Sequence, residues 1–235
     1  MSLILNIDTA LDTASVCLAN KGEVLHLAVN EFPKDHAGWL HPAISELLQK
    51  TGYEIRDLSA VAVSIGPGSY TGLRVSLSTA KGFCFALKLP LITIGTLQMM
   101  AYSVKDENAD LICPVIDARR NEVFTAVYDK NLEPVLPAQS MIVGENSFGQ
   151  LLSTYRMFFF GNGAHKLKNL LSHENAVFQH YSSGGESEGT QMCGNASHLA
   201  PLSYRIFLQK GFSDLVYTEP LYIKEFYSPV GNSSV

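Results

Sequence analysis

Two aspartates, Asp8 and Asp117, each end an apolar stretch of the chain and are the first candidates for chemistry. A carboxylate at the end of a strand can hold a metal–phosphate complex or position a water molecule. The alternative is that each aspartate caps a β-turn, which this residue does frequently. Capping gains weight at Asp8, because residues 9–13 contain no glycine that would let a phosphate approach the backbone. Arg119 would attract phosphate near Asp117, but Glu122 offers it an ordinary ion-pair partner.

The most distinctive feature of the sequence is a glycine-rich stretch at residues 66–75, which reads GPGSYTGLRV. Its glycine spacing fits neither the P-loop nor the dinucleotide-binding motif. The apolar, β-branched residues 60–65 before it predict a buried strand, and the glycines predict a tight turn into a helix capped by Ser69 or Thr71. The free N–H groups at the start of such a helix can bind an anion. The alternative is a tight turn that binds no ligand.

The remaining polar residues indicate no catalytic or metal site. Ser69 lacks the flanking glycines of the serine-hydrolase motif. His36 and His41 are five positions apart, so on a helix their side chains point about 140° apart and cannot share a metal ion. The four cysteines are isolated, which favours neither a Cys-x-x-Cys site nor a disulfide framework. We therefore expect no bound metal and no cofactor.

The hydrophobic pattern predicts a first lobe of strands and helices in alternation. Apolar strands are expected at 3–8 and 60–65, and a hairpin around the turn at Asn20-Lys21-Gly22. A helix is expected at 35–51, with a broad apolar face, and a second at about 71–87. A strand at 91–94 and a helix at 96–104 complete the lobe.

The same pattern then begins again. Residues 111–117 form a second apolar stretch that ends in aspartate, and a strand at 122–128 follows it. Later, the apolar residues 158–160 are followed by a glycine-containing turn, just as the apolar residues 60–65 are followed by Gly66. Two copies of one plan indicate an internal duplication. The predicted domains are an N-terminal lobe at 1–104 and a smaller lobe at 105–235.

The C-terminal third contains three further predictions. A last amphipathic helix is expected at 195–211, packing back on the first lobe and ending at Gly211. A strand is expected at 221–223. Residues 181–191 show no periodicity and predict a flexible loop.

Composition limits the classes of function. The chain has 235 residues, of which 46% are hydrophobic and 17% charged, as in an ordinary globular protein. A net charge of −5 disfavours independent binding to nucleic acid. The chain opens without a basic signal-peptide flank, and no apolar run reaches the ~20 residues that span a membrane. We therefore expect a cytoplasmic protein that does not bind a membrane.

The sequence resembles the TsaB (YeaZ) family of bacterial proteins. The resemblance is carried by residues 66–75 with Ala80-Lys81-Gly82, and is supported by Ile7-Asp8-Thr9, His36, Asp117-Ala118-Arg119 and Pro220-Leu221-Tyr222-Ile223-Lys224. It implies an α/β structure with the duplicated actin-like/Hsp70/sugar-kinase fold and a truncated second lobe. It also implies a partner of TsaD in the threonylcarbamoyl modification of adenosine in tRNA.

The resemblance further implies a subunit without catalytic residues. In the catalytic relative TsaD, a histidine pair binds the metal at the positions that Thr96 and Met100 occupy here. Threonine is a poor ligand for a transition metal, and methionine suits only soft ions. The implied partners are TsaD in a direct heterodimer, the ATPase TsaE through that complex, tRNA only within the complex, and a second copy when TsaD is absent. An ATP-dependent phosphotransferase and a metal-dependent glycoprotease remain as disfavoured alternatives.

Two groups of site residues follow. The vestigial phosphate site would consist of Asp8, Thr9, Gly66, Gly68, Asp117 and Arg119. The partner interface would lie on the helix at 71–87, which carries only two charges, together with the helix at 38–51. Its predicted residues are Trp39, Ala43, Leu47, Gly72, Leu73, Ser76, Leu77, Thr79, Ala80 and Phe83. The alternative is that the chain's own second lobe covers this helix.

Overall fold

A computed structural model describes residues 2–30, 35–179 and 194–224. The first half of the chain forms a five-stranded sheet in the order β3-β2-β1-β4-β5. Its strands are β1 (Leu3–Asp8), β2 (Ser15–Asn20), β3 (Glu23–Val29), β4 (Ala60–Ser64) and β5 (Leu91–Ile94). The hairpin β1–β2–β3 is antiparallel, whereas β4 pairs in parallel with both β1 and β5.

The second half builds a second sheet in the order β10-β9-β6-β7-β8. Its strands are β6 (Leu111–Asp117), β7 (Glu122–Tyr128), β8 (Pro134–Ile142), β9 (Met157–Phe160) and β10 (Ala176–Phe178). Again an antiparallel hairpin lies on one side of the first strand, and two parallel strands lie on the other. The equal strand order confirms the duplicated actin-like/Hsp70/sugar-kinase plan.

Six α-helices in the described part of the chain cover these sheets. They are α1 (His36–Thr51), α2 (Tyr70–Leu87), α3 (Thr96–Ser103), α4 (Gly149–Leu152), α5 (Ala164–Lys168) and α6 (Ala196–Leu208). Asp35, Ser69 and Asn195 each cap the start of the helix that follows, because their side chains accept a hydrogen bond from a first-turn N–H. None of the helices in the described ranges is long and apolar enough to span a membrane.

The alternation of β1 decides which helices cover which face of the first sheet. Leu3, Leu5 and Ile7 pack against α1 and α2. Ile4 points to the other face, where α3 and α6 form a core shared by residues of both sheets. Asn6 on that face accepts a hydrogen bond from the Ser203 hydroxyl at 2.7 Å, which ties α6 to the sheet. The shared core therefore joins the two halves of the molecule.

The C-terminal predictions need two corrections. Residues 221–223 form no strand, although the Leu221 N–H donates to the Ile65 carbonyl at 2.7 Å. Helix α6 ends at Leu208, and Lys210, not Gly211, takes the left-handed conformation with φ 55°. The loop expected at 181–191 lies outside the described residues. The domain division at residue 104 falls between α3 and β6 and stays a prediction.

Candidate functional site

The first aspartate is buried in its own turn. Asp8 is 1% exposed, and its Oδ1 accepts a hydrogen bond from the Ser64 hydroxyl at 2.5 Å and from the Ala10 N–H at 3.2 Å. Burial raises the pKa of this carboxyl above its ordinary value of 3.8, although both hydrogen bonds oppose the rise. A carboxylate in this position organises the β1–β2 turn and offers little of its surface to a ligand.

The second aspartate makes the same turn in the second half. Asp117 Oδ1 accepts from the Arg119 N–H at 2.6 Å and from Lys166 Nζ at 2.6 Å. Partial burial raises the pKa of Asp117, but the Lys166 contact and the Arg119 N–H outweigh it and leave the pKa below 3.8. In both turns the aspartate bonds the N–H two residues ahead, as a capping aspartate does.

Replacing Asp8 by asparagine tests this structural role. The folded state binds a proton on Asp8 more tightly than the unfolded state, because the folded pKa is raised. The wild type therefore loses stability as the pH rises from 3.8 through the folded pKa, because ionising the buried carboxyl is less favourable in the folded state than in the unfolded state. We expect the free energy of unfolding of Asp8→Asn, relative to that of the wild type, to increase between pH 4 and pH 7 in urea titrations. A decrease of this difference over the same range would contradict the assignment.

The glycines of the 66–75 stretch let the chain's own backbone approach helix α2. A Cβ added to Gly68 would lie 2.2 Å from the Ala10 carbonyl oxygen, and one added to Gly72 would lie 1.9 Å from that of Thr9. The Ser69 N–H donates to the Ala10 carbonyl at 2.7 Å. The Thr9 hydroxyl donates to the Gly72 carbonyl at 2.6 Å. A carbonyl of the chain itself thus meets the helix start, where an anion would otherwise bind.

Thr96 and Met100 have structural contacts of their own. The Thr96 hydroxyl accepts a hydrogen bond from the Gly66 N–H at 3.1 Å. Met100 is fully buried and its terminal methyl lies 2.8 Å from where a Gly161 Cβ would stand. Each residue therefore supports a glycine turn, one in each half of the molecule. The part of the chain that the structure describes holds no cluster of three metal-ligating side chains.

A cleft of about 660 Å³ lies between the β1–β2 turn, the start of α2 and the β6–β7 turn. Of the predicted phosphate-site residues, Gly68, Asp117 and Arg119 line it, whereas Asp8, Thr9 and Gly66 do not. The sequence reasoning missed residues 221–224, which also line this cleft. The signal that could have found them is the Pro220–Lys224 motif, which is one of the motifs that support the family resemblance.

The prediction that Glu122 is the ion-pair partner of Arg119 was wrong. In the described residues Glu122 pairs with Lys224, which comes from the C-terminal end of the described chain. Arg119 itself has a left-handed φ of 67° in the β6–β7 turn. Arg119 is nearer to Glu122 along the sequence, and proximity therefore favoured it as the ion-pair partner. Glu122 is the first residue of β7, however, and its side chain contacts Lys224, which lines the cleft.

Eight of the ten residues predicted for the partner interface are buried within the chain itself. Ser76 and Ala80 are both 0% exposed, and Ala80 belongs to the core that α1 and α2 form on the first sheet. The remaining two, Trp39 and Phe83, are half-buried at the edge of that core. The buried residues are Ala43, Leu47, Gly72, Leu73, Ser76, Leu77, Thr79 and Ala80.

The small residues on α2 thus serve a close approach inside the monomer. The outer face of α2 carries Thr71, Ser78, Gly82 and Phe85 in exposed positions, and Phe85 is 80% exposed. We call these four residues the outer face of α2 below. None of the four is charged, and the two charged residues of α2, the exposed Arg74 and the half-buried Lys81, hydrogen-bond to Tyr222 and to the Val216 carbonyl.

Known proteins resemble this chain in both sequence and fold. The family model described as TsaD, tRNA N6-adenosine threonylcarbamoyltransferase, matches residues 30–188, about two thirds of the chain. The protein named tRNA threonylcarbamoyladenosine biosynthesis protein TsaB is 34% identical in Bacillus subtilis, over 60% of this chain and 63% of that protein. Its Escherichia coli namesake is 36% identical over 54% of this chain and 55% of that protein.

This chain belongs to the TsaB (YeaZ) family. The solved structure of YeaZ from Pseudomonas aeruginosa superposes with a TM-score of 0.77 at 24% identity, over 94% of this chain and 100% of that one. A second Pseudomonas aeruginosa protein, described as similar to peptidase YEAZ, gives a TM-score of 0.79 at 21% identity over 95% of this chain and 100% of its own. These two matches show the TsaB (YeaZ) fold across the chain. The sequence matches span little more than half of the curated TsaB relatives.

Proposed function

We propose that this chain is a non-catalytic subunit that pairs with TsaD and supports threonylcarbamoyl transfer to an adenosine of tRNA. One observation carries the proposal: the chain's own backbone occupies the start of α2, where the Ala10 carbonyl accepts from the Ser69 N–H at 2.7 Å. The duplicated plan of the fold is present, but the side chains of Asp8 and Asp117 accept hydrogen bonds from the N–H groups of their own turns. Such a cleft favours a scaffold over an ATP-dependent phosphotransferase.

The outer face of α2 is the proposed contact with TsaD. A helix on a sheet normally carries several free charges on its exposed side, whereas α2 has only Arg74 and Lys81, and both hydrogen-bond to residues 216–222 of the chain itself. The uncharged residues of the outer face, with Phe85 80% exposed, therefore favour a partner that covers them. Ser78 and Gly82 are four residues apart and both exposed, so another helix can approach closely there. A Cβ added to Gly82 meets nothing within 4 Å, which leaves the space above it open for a partner.

The proposal extends to the rest of the assembly. TsaD, which shares its family model with this chain, would form a pseudo-symmetric heterodimer through this face. A second copy of the chain takes the place of TsaD when TsaD is absent. The ATPase TsaE joins through the heterodimer, tRNA is bound only by the complex, and the complex works in the cytoplasm.

Pairing is tested by titrating TsaD from the same organism with the purified chain in a calorimeter. We expect a one-to-one complex with a dissociation constant of about 1 μM or tighter. The absence of any heat of binding and of co-elution on size exclusion would contradict the proposal.

A further inference from the structure

Residues 213–224 run from the first sheet to the second half of the molecule, and we call them the C-terminal strap. The Ser213 N–H donates to the Leu91 carbonyl at 2.9 Å, and the Ser213 hydroxyl lies 2.7 Å from that of Thr93. Further along, Lys81 Nζ on α2 donates to the Val216 carbonyl at 3.1 Å. The base of the strap is therefore fixed to β5 and to α2.

The middle of the strap is held at the glycine turn after β4. The Leu221 N–H donates to the Ile65 carbonyl at 2.7 Å, and the Leu221 carbonyl lies 2.8 Å from where a Gly66 Cβ would stand. Gly66 has a φ of 120° and so needs to be glycine for its own conformation as well. The motif Pro220–Lys224 and the first glycine of the 66–75 stretch thus meet each other in space.

Tyr222 binds the strap to the start of α2 through its ring and its hydroxyl. Arg74 Nε donates to the Tyr222 hydroxyl at 3.0 Å, and the Arg74 guanidinium lies 4.1 Å from the centre of the Tyr70 ring. The Tyr70 and Tyr222 rings are 5.3 Å apart. A cation between two phenol groups in this way fixes the position of the strap end.

The strap then crosses to the second half of the molecule. Lys224 forms an ion pair with Glu122 at the start of β7, and residues 221–224 line the cleft. Among the residues that the structure describes, a second side-chain bond across this cleft joins Asn162 Nδ2 to Asp12 at 3.4 Å and is exposed. The core around α3 and α6 joins the two halves elsewhere, so the strap is the main link at the cleft.

We propose that the C-terminal strap is an internal latch that sets the angle between the two halves of the molecule. It does from within the chain what a ligand bound in the cleft would do, since it contacts both cleft walls at once. The Lys224–Glu122 pair is the part of the latch that opens, because the contacts of residues 213–222 are all within the first half. Breaking the pair frees the second half to move about the shared core.

Distances between two spin labels measure this angle directly. The labels go on Gln49→Cys in α1 and Gln150→Cys in α4, two exposed positions in the two halves, with Cys193→Ser. Cys17, Cys84 and Cys113 are buried, and burial raises their pKa to about 12, 11 and 12, so they react slowly. Pulsed electron spin resonance then gives the distribution of distances.

Lys224→Glu and Glu122→Lys should each raise the population of open conformers about two- to fivefold, as expected for a partly exposed ion pair. The double charge swap should restore the wild-type distribution, and Lys168→Glu, an exposed lysine of α5, should leave it unchanged. Tyr222→Phe, which keeps the ring and removes only the hydroxyl, provides a milder opening if a charge reversal fails to fold. Single variants with the wild-type distribution, or a double swap as broad as the single variants, would overturn the proposal.

Discussion

Gly72→Ala should destabilise the isolated chain by about 3 kcal/mol or more. The added Cβ would lie 1.9 Å from the Thr9 carbonyl oxygen, which is backbone and cannot rotate away. The Thr9 hydroxyl also bonds the Gly72 carbonyl at 2.6 Å, so that separating the two segments breaks a buried hydrogen bond. Gly68→Ala should behave alike, because its Cβ would lie 2.2 Å from the Ala10 carbonyl oxygen.

Gly82→Ala in the same helix is the matched control. Its added Cβ meets nothing within 4 Å, so the substitution should stabilise the isolated chain by up to about 1 kcal/mol through helix propensity. Urea unfolding followed by circular dichroism measures all three variants. Equal stability of Gly72→Ala and Gly82→Ala would show that the close backbone approach is absent, and the account of the glycine stretch would fail with it.

Gly82→Arg should weaken binding to TsaD at least about 100-fold, or roughly 2.8 kcal/mol, while leaving the isolated chain folded. The space above Gly82 is open in the monomer, so an arginine fits there without disturbing the core. In a complex the same side chain would stand between two helices and push them apart. Calorimetric titration against TsaD measures the change in affinity.

Gln150→Arg, an equally exposed position on α4, is the control for added charge and should bind TsaD as the wild type does. Ser76→Arg is not a useful test of the interface, because Ser76 is 0% exposed and its hydroxyl contacts the Gly72 and Leu73 carbonyls. An arginine at that position should unfold the protein. Wild-type affinity of a folded Gly82→Arg variant would place the interface elsewhere.

The duplicated fold could be predicted from the sequence because its signals are local. An apolar strand that ends in aspartate and continues into a hairpin occurs twice, at Asp8 and Asp117, and both turns have the expected capping bonds. Helix α2 was predicted within one residue, since Ser69 supplies its cap. Periodicity and capping depend on neighbours within a few positions, which the sequence displays directly.

The inner and outer faces of α2 could not be told apart in the same way. A row of small residues permits the close approach of any backbone, whether it belongs to a partner helix or to the same chain. Gly72 and Ser76 are buried within the chain, so the row serves the monomer. The contacts of the C-terminal strap could not be predicted from the sequence either. The pairing of Lys224 with Glu122 joins two segments that are distant along the chain, and no local pattern in either segment indicates the other.

Threonylcarbamoylation of tRNA with purified components tests the central claim most directly. TsaD, TsaE, the threonylcarbamoyl donor and unmodified tRNA are incubated with or without the chain, and the modified nucleoside is counted by mass spectrometry. We predict strong dependence on the chain, and activity within about twofold of wild type when the chain carries both Asp8→Asn and Asp117→Asn. A folded double variant that still binds TsaD but abolishes the modification would contradict a non-catalytic role, and modification that proceeds equally well without the chain would contradict the function itself.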